Sequence, residues 1–169
     1  MKKTKKLTVC AVLISLALAL SYMERFIPLQ MVIPLPGIKL GLANVVTLVA
    51  LYYLDWKSVY AIVLIRCLLG AAFGGGVSGL LFSLTGGLLS VSVMLVTKRM
   101  SCFSIYGVSI LGAAAHNVGQ ILAAMVLMQS VYIGAYLSYL LMVALFTGYA
   151  IGCVAAGVLK VLLTTKQNF

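Results

Sequence analysis

Acidic residues are almost absent from this chain. Glu24 and Asp55 are the only acidic residues among its 169. Charged residues of both signs make up 8% of the sequence, against about 25% in soluble domains. We expect the two carboxylates on opposite sides of a membrane, so they provide neither a catalytic carboxylate pair nor the clustered oxygen ligands of a magnesium site. Hydrophobic residues reach 64% of the chain, which excludes an ordinary water-soluble domain.

Motifs that would hold a metal or a nucleophile are missing as well. The four cysteines stand singly, with no CxxC pair and no histidine at ligand spacing, which argues against zinc and against a disulfide framework. They are Cys10, Cys67, Cys102 and Cys153. No P-loop, GxSxG or HExxH sequence occurs. We therefore expect no cofactor, no metal and no enzyme activity, with a membrane enzyme built on His116 and a serine as an alternative.

Long apolar runs make up most of the remaining sequence. A bilayer span needs about 20 apolar residues, and charges, prolines and glycine clusters divide the chain into six segments. They cover residues 7–23, 38–54, 58–73, 79–97, 105–129 and 134–159. The sequence predicts one all-α integral membrane domain, residues 1–169, built as a bundle of six transmembrane helices. Segments three and four are alternatively one broken hairpin, because a glycine cluster, residues 74–79, follows the third.

The basic residues predict the orientation of these spans. The chain carries 12 Lys and Arg residues and a formal net charge of +10, and basic residues concentrate in cytoplasmic loops. Nine of the 12 fall on the side of the N-terminus, against Arg25 and Lys39 on the other side, with Arg66 inside a span. Both termini are therefore expected in the cytoplasm, and the positive charge is not taken as a sign of nucleic-acid binding.

A proline-containing segment separates the first two spans. Residues 24–37 contain all three prolines, Pro28, Pro34 and Pro36. Non-helical backbone cannot face lipid, because its hydrogen-bonding groups would be left unpaired. We predict that this loop lies on the outer side, where it caps the bundle or dips into it beside a polar cavity.

Polar side chains inside the predicted spans mark a candidate site. Arg66 lies in the middle of the third segment, and a cluster of His116, Asn117 and Gln120 lies near the middle of the fifth. Their spacing of three and four residues predicts that the three cluster side chains share one sector of the helix. Ionisable groups at such depth normally face the bundle interior or a cavity. A histidine in this position is alternatively part of a structural hydrogen-bond network.

Two more polar residues open the second segment directly after the proline loop. They are Lys39 and Asn44, which we include in the candidate site. Lys39 is alternatively an anchor at the membrane interface. Because acidic partners are so few, an internal site with spare positive charge should prefer an anionic ligand. The predicted ligand-binding residues are Lys39, Asn44, Arg66, His116, Asn117 and Gln120.

Small residues recur every four positions in three spans. Such ridges let helix backbones approach closely, which matters because lipid supplies no hydrophobic force between helices. The ridges are Ala11, Ser15 and Ala19 in the first span, Gly79, Ser83 and Gly87 in the fourth, and Gly148, Gly152 and Ala156 in the last. Internal packing is the favoured interpretation of each ridge, and a docking surface for another membrane protein is the alternative.

Three stretches carry a resemblance to a known family. They are residues 24–28 (ERFIP), 34–44 (PLPGIKLGLAN) and 115–120 (AHNVGQ). With them the whole chain resembles the Gx transporter family, whose members are also described as heptaprenyl diphosphate synthase component I. That family in turn is similar to the substrate-binding S components of energy-coupling factor transporters.

The resemblance implies a fold and a set of roles. It implies six helices in the bacterial cytoplasmic membrane, with a ligand pocket near the outer face that the first loop covers. The gate would be formed by Glu24, Arg25, Pro34, Pro36 and Gly37. The small ridge of the first helix, in which Ser15 departs from an all-alanine pattern, would dock on a membrane coupling subunit that works with two ATPases.

These observations favour one function and leave two alternatives. We expect a substrate-binding subunit for uptake of a small, anionic, vitamin-like or isoprenoid-precursor molecule, energised by separate ATPases. The first alternative is a membrane accessory subunit or enzyme of polyprenyl diphosphate or quinone synthesis. Catalysis itself is disfavoured because prenyl diphosphate synthases use aspartate-rich motifs, and Asp55 is the only aspartate here. The second alternative is a structural subunit with no ligand.

Overall fold

The computed structural model describes residues 3–26 and 39–167, and this part of the chain is almost entirely helical. Its six α-helices are α1 (Lys3–Met23), α2 (Asn44–Tyr53), α3 (Trp56–Gly70), α4 (Gly76–Arg99), α5 (Ile105–Met128) and α6 (Tyr136–Gln167). Short 3₁₀ turns cover Glu24–Phe26 and Val131–Ala135, and a π turn covers Ala71–Gly75. The core of the predicted outer loop, residues 27–38, lies outside the described residues.

Four helical stretches are long and apolar enough to cross a membrane. They are Lys3–Met23, Trp56–Arg99, Ile105–Met128 and Val131–Leu162, and the 10-residue α2 is a shorter apolar helix. For the described residues, the prediction of an all-helical protein with several helices long and apolar enough to cross a membrane is therefore confirmed.

The 44-residue stretch Trp56–Arg99 is a helical hairpin. Its π turn contains non-helical backbone at Phe73 and Gly74, and Gly74 and Gly76 have φ values of 95° and 63°, which glycine adopts without steric cost. Further along, the Tyr60 hydroxyl of α3 hydrogen-bonds the Ser92 hydroxyl of α4 at 2.8 Å. The chain thus reverses at the glycine cluster, and α3 and α4 pack along each other.

The second helix begins later than the sequence predicts. The predicted segment starts at residue 38, whereas α2 starts at Asn44, because Gly41 has a φ of 84° and turns the chain. Lys39 and Leu40 precede this turn without regular structure. The last helix, in contrast, is longer than the sequence predicts. It starts at Tyr136 and ends at Gln167, whereas the predicted segment ends at residue 159.

Helix α5 occupies the centre of the bundle, between α4 and α6. A Cβ atom on Gly119 would lie only 2.6 Å from the Thr85 carbonyl oxygen of α4, so the two backbones touch. On the opposite side, Gly148 of α6 packs on the backbone of Ile110, and its carbonyl accepts a 2.6 Å hydrogen bond from the buried Ser109 hydroxyl. The small ridge of the last helix therefore serves internal packing.

Helix α1 lies at the edge of the bundle. Ala17 is its one fully buried residue among those described, and it packs against Ala43 and Val46 near the start of α2. The ridge of Ala11, Ser15 and Ala19 is exposed. The ridge of α1 is thus more exposed than that of α6, whose Gly148 and Gly152 pack on α5.

The turn between α2 and α3 is tied to the N-terminal end of α1. Asp55 caps α3 by accepting hydrogen bonds from the Ser58 backbone N–H and hydroxyl, as residues at this position commonly do. It also forms a 2.6 Å ion pair with Lys6. The hydrogen bond from Lys6 lowers the pKa of Asp55 to about 2. The start of α1 and the α2–α3 turn therefore lie at the same end of the bundle.

Candidate functional site

Gln120 connects α5 to the short segment before α2. In the amide orientation that satisfies all neighbours, its oxygen accepts from the Lys39 backbone N–H and its nitrogen donates to the Lys39 carbonyl, each over 3.1 Å. The same oxygen accepts from His116 Nε2, also at 3.1 Å. Gln120 is fully buried. Its hydrogen bonds hold the Lys39 backbone against the middle of α5, although the two residues are 81 positions apart.

The Lys39 side chain extends across to α4. Its Nζ donates a 2.9 Å hydrogen bond to the Ser83 hydroxyl, so one member of the predicted α4 ridge is a polar contact of the site. Lys39 is thus held by its backbone from α5 and by its ammonium group from α4. Lys39 is half-buried in this position, and its role as a ligand-binding residue or an interfacial anchor stays a prediction.

His116 fills a slot between two glycines. A Cβ on Gly86 would lie 2.9 Å from the His116 ring, and a Cβ on Gly41 would lie 3.2 Å from it. The ring is 3% exposed. A side chain at Gly86 would therefore displace the ring, and one at Gly41 would press on Asn44 Nδ2, at 2.9 Å, and on the ring. Gly41 has the further constraint of its positive φ. Both glycines belong to the site, and the sequence analysis did not select either.

Arg66 and Asn44 bring unpaired polar atoms into this region. Arg66 is 6% exposed and its Nη1 donates a 3.4 Å hydrogen bond to the Ser21 hydroxyl of α1, but its Nε and Nη2 have no partner among the described residues. Asn44 is 1% exposed, and neither atom of its amide has a described partner. Leaving such groups unpaired is costly. Two unpaired donors on a buried guanidinium suit an anionic acceptor.

Glu24 supplies the negative charge of the site. Its carboxylate is 4% exposed and accepts a hydrogen bond from the Leu42 backbone N–H. Burial raises the pKa of Glu24, while the Leu42 hydrogen bond and the charges of Lys39 and Arg66 act in the opposite direction. One carboxylate thus stands against two cations. The Leu42 hydrogen bond fastens the end of α1 to the Gly41 turn, and the gate role assigned to Glu24 from the sequence stays a prediction.

The other gate residues and Asn117 have different outcomes. Pro34, Pro36 and Gly37 lie outside the described residues, as does the side chain of Arg25. Asn117 is buried, but its Nδ2 donates a 2.8 Å hydrogen bond to the Leu140 carbonyl of α6. The prediction that it shares a sector with His116 and Gln120 is wrong, because adjacent residues of a helix are about 100° apart and Asn117 turns toward α6.

The arrangement gathers hydrogen-bond donors and positive charge in one region. Of the six predicted residues, the structure brings Lys39, His116 and Gln120 into one hydrogen-bonded group, and Arg66 and Asn44 lie buried beside it. Across the described ranges, residues 3–26 and 39–167, no three His, Cys, Asp or Glu side chains are grouped as a metal would require. The available chemistry is a set of hydrogen-bond donors with positive charge, which is suited to an oxyanion.

Comparison with known families identifies a match that covers most of the chain. A family model described as heptaprenyl diphosphate synthase component I matches residues 13–158, a range that includes every residue of the candidate site. No curated protein matches the chain. No solved structure matches it either.

Proposed function

The chain belongs to the heptaprenyl diphosphate synthase component I family, and from that premise we propose that it is a membrane subunit that binds a small anionic molecule. It would work as the substrate-binding component of an uptake system of the energy-coupling factor type. A separate coupling subunit and two ATPases would supply the energy. The bound molecule would be vitamin-like or an isoprenoid precursor.

One observation carries this proposal. The Arg66 guanidinium is buried with two nitrogen atoms unpaired among the described residues, and Lys39 lies in the same region with Glu24 as the single counter-charge. Burying a cation that lacks a full set of acceptors is unfavourable. An anionic ligand would supply the missing acceptors and balance the charge.

The exposed first helix supports the coupling part of the proposal. Ala11, Ser15 and Ala19 form a smooth surface of small, exposed residues, and such ridges mediate close helix contacts within bilayers. In the two comparable ridges, Ser83 and Gly87 of α4 and Gly148 and Gly152 of α6 make contacts inside the bundle, whereas a Cβ on Gly79 of α4 would meet nothing within 4 Å. A coupling subunit would occupy the exposed ridge of α1.

We propose six membrane-embedded helices with both termini in the cytoplasm of a bacterial cell. Support comes from basic side chains gathered at one end of the bundle. Lys6 pairs with Asp55, and Lys98 donates a 2.6 Å hydrogen bond to the Leu51 carbonyl at the end of α2. This end also carries the N-terminus, and basic residues favour the cytoplasmic side.

Ligand retention provides the direct test. We expect the protein, purified gently and analysed by native mass spectrometry, to retain a small anionic molecule. Arg66→Gln should weaken binding of that molecule by about tenfold or more, because a charge-assisted hydrogen bond is lost. Ser109→Ala is the matched control, since it removes a buried hydrogen bond elsewhere and should leave binding unchanged. A protein that retains no anion, or an equal affinity in Arg66→Gln, contradicts the proposal.

A second candidate function rests on the description of the family. An accessory subunit of polyprenyl diphosphate synthesis would bind a diphosphate without transporting it. Reconstitution into vesicles distinguishes the two functions. ATP-dependent accumulation of the retained molecule, with coupling subunit and ATPases present, supports uptake. Stimulation of a soluble prenyl diphosphate synthase without any accumulation would favour the accessory role, and uptake by this chain alone would contradict energy coupling.

A further inference from the structure

The Gln120 side chain is enclosed by other parts of the chain. It is 0% exposed, and its amide pairs with the Lys39 backbone in both directions. The amide oxygen accepts a second hydrogen bond, from His116 Nε2 at 3.1 Å. A carboxamide oxygen has two lone pairs, so both are occupied. The hydrogen bonds of Gln120 therefore lead to residues of the site and leave its oxygen no room for a ligand.

The pairing between Gln120 and Lys39 needs a carboxamide. One planar group accepts from the Lys39 backbone N–H and donates to the Lys39 carbonyl, each over 3.1 Å, as a residue of a neighbouring β-strand would do. Among side chains, only Asn and Gln combine an N–H donor and a carbonyl acceptor in this way, and Asn is one methylene shorter. Because Lys39 lies outside regular structure, Gln120 supplies the backbone partners that a helix or sheet supplies elsewhere.

The Lys39 side chain is held at its other end by a different helix. Its Nζ donates a 2.9 Å hydrogen bond to the Ser83 hydroxyl of α4, while its backbone lies against α5. The positive charges of Lys39 and Arg66 both act on the Glu24 carboxylate, so the two cations lie in one region. A shift of the Lys39 backbone would move its ammonium group away from this position.

We infer that Gln120 is a positioning residue, whose carboxamide holds Lys39 in place for the anion while Gln120 itself does not touch that anion. This inference rests on the proposed function and assigns a role within its site. A lysine has a long, flexible side chain. Fixing its backbone in advance reduces the freedom that is lost when a ligand binds. Loss of the Gln120 amide should therefore weaken anion binding through Lys39 alone.

Inorganic phosphate serves as the probe for binding. Its dissociation constant is measured by calorimetry on the full chain in nanodiscs of neutral phosphatidylcholine. Gln120→Met, a side chain of similar length without the amide, should weaken binding by about fivefold. Lys39→Gln should weaken it by about tenfold or more, because a charge-assisted hydrogen bond is lost. The double variant should bind within about twofold of Lys39→Gln alone, since the effect of Gln120 requires the lysine.

Hydrogen exchange at the backbone N–H of residue 39 gives a measurement that needs no ligand. This proton should exchange about tenfold faster or more in Gln120→Met, because its buried acceptor is lost. Gln120→Asn, which keeps the amide but is too short, should show the same direction of change. Lys39→Gln should leave the exchange slow, since the pairing uses only backbone atoms of Lys39.

A matched control removes a different hydrogen bond between the same two helices. The buried Ser90 hydroxyl of α4 donates a 2.8 Å hydrogen bond to the Gly112 carbonyl of α5. Ser90→Ala should change neither the exchange at residue 39 nor the phosphate affinity. Thermal unfolding confirms that each variant is folded before the measurements are compared.

The outcomes separate this inference from the proposed function. Unchanged phosphate affinity in Gln120→Met overturns the inference, as does a double variant in which the two losses multiply. Equal exchange at residue 39 in Gln120→Met and the unchanged protein overturns it independently. If the unchanged protein binds no phosphate, anion binding is contradicted, and the exchange measurements alone decide whether Gln120 holds Lys39.

Discussion

Helices α1 and α5 are both apolar enough to cross a membrane, but they have opposite places in the bundle. In the 18-residue apolar stretch of α1 only 6% of the residues are buried, against 56% in the corresponding stretch of α5. The difference lies in their small and polar residues. Ser15 of α1 hydrogen-bonds the Ala11 carbonyl of its own helix, whereas Ser109 and Asn117 of α5 hydrogen-bond carbonyls of α6.

The comparison shows what selects the central helix of a membrane bundle. Hydrophobicity does not decide which helix is central, because an apolar helix face is as stable against lipid as against another helix. Polar groups that need partners on other helices, and glycines such as Gly119 that let backbones touch, place α5 in the centre. Helix α1 has neither feature over most of its length. It therefore lies at the edge of the bundle.

The largest expected effect concerns the exposed ridge of α1. Ala11→Leu places a bulky side chain on the surface proposed for the coupling subunit, and misfit at a close helix contact costs about 1–3 kcal/mol. We expect ATP-dependent uptake in vesicles to fall by about tenfold, with the thermal unfolding of the isolated protein unchanged. Ala150→Leu, on the exposed face of α6, is the control. Equal uptake by Ala11→Leu would show that α1 is not the docking surface.

The second prediction addresses the close packing of α5. Gly119→Ala adds a Cβ that would lie 2.6 Å from the Thr85 carbonyl oxygen and 2.8 Å from the Gly86 backbone, so α4 and α5 must separate. The free energy of unfolding in detergent should fall by about 1–3 kcal/mol. Ala11→Leu on α1 should change it by less than about 0.5 kcal/mol. Similar losses in both variants would remove the distinction between the two helices.

A third prediction compares hydroxyl groups on the two helices. Ser109→Ala removes a buried hydrogen bond between α5 and α6, and such bonds contribute about 0.6 kcal/mol on average in membranes, up to about 1.7. Ser15→Ala removes a hydrogen bond within α1 and should have no measurable effect on unfolding. If Ser15→Ala destabilised the protein as much as Ser109→Ala, interhelical bonding would not explain the central place of α5.

The smallest effect is expected from the ion pair that joins α1 to the rest of the bundle. The pKa of Asp55 is lowered from 3.8 to about 2 by Lys6, so its contribution to stability is present above pH 4 and is lost as pH falls toward 2. Asp55→Asn should remove this acid-dependent decrease in Tm. An identical decrease in Asp55→Asn would assign the effect to another group.

Glu24 provides a contrast within the same titration. Burial raises its pKa above 4.5, so its contribution has the opposite sign: stability increases as pH falls through its folded-state pKa toward 4.5. These two are the only side-chain carboxylates in the chain. Glu24→Gln should therefore flatten the upper part of the profile and leave the Asp55 part unchanged.

Much of the candidate site was predictable because a membrane makes polar residues conspicuous. Arg66, His116 and Gln120 stand out in apolar segments, and all three are buried in the structure. The partners Ser21 and Ser83 did not stand out, because serine is common in membrane helices and nothing in its local sequence indicates a long-range hydrogen bond. Asn117 was grouped with its neighbours by spacing alone, and its actual partner, the Leu140 carbonyl, carries no signal in the sequence.

The sequence by itself determined the class of this protein: apolar helices that cross a membrane, a few buried polar groups and an excess of positive charge. These follow from composition and from the cost of placing charge in lipid. Only the tertiary structure decided that α5 is central and α1 peripheral, that Gln120 holds Lys39, and that the His116 ring lies between Gly41 and Gly86. Such features depend on which helix faces meet. Apolar faces are nearly interchangeable in lipid, so a small number of hydrogen bonds and glycine contacts, distant in sequence, choose among the possible arrangements.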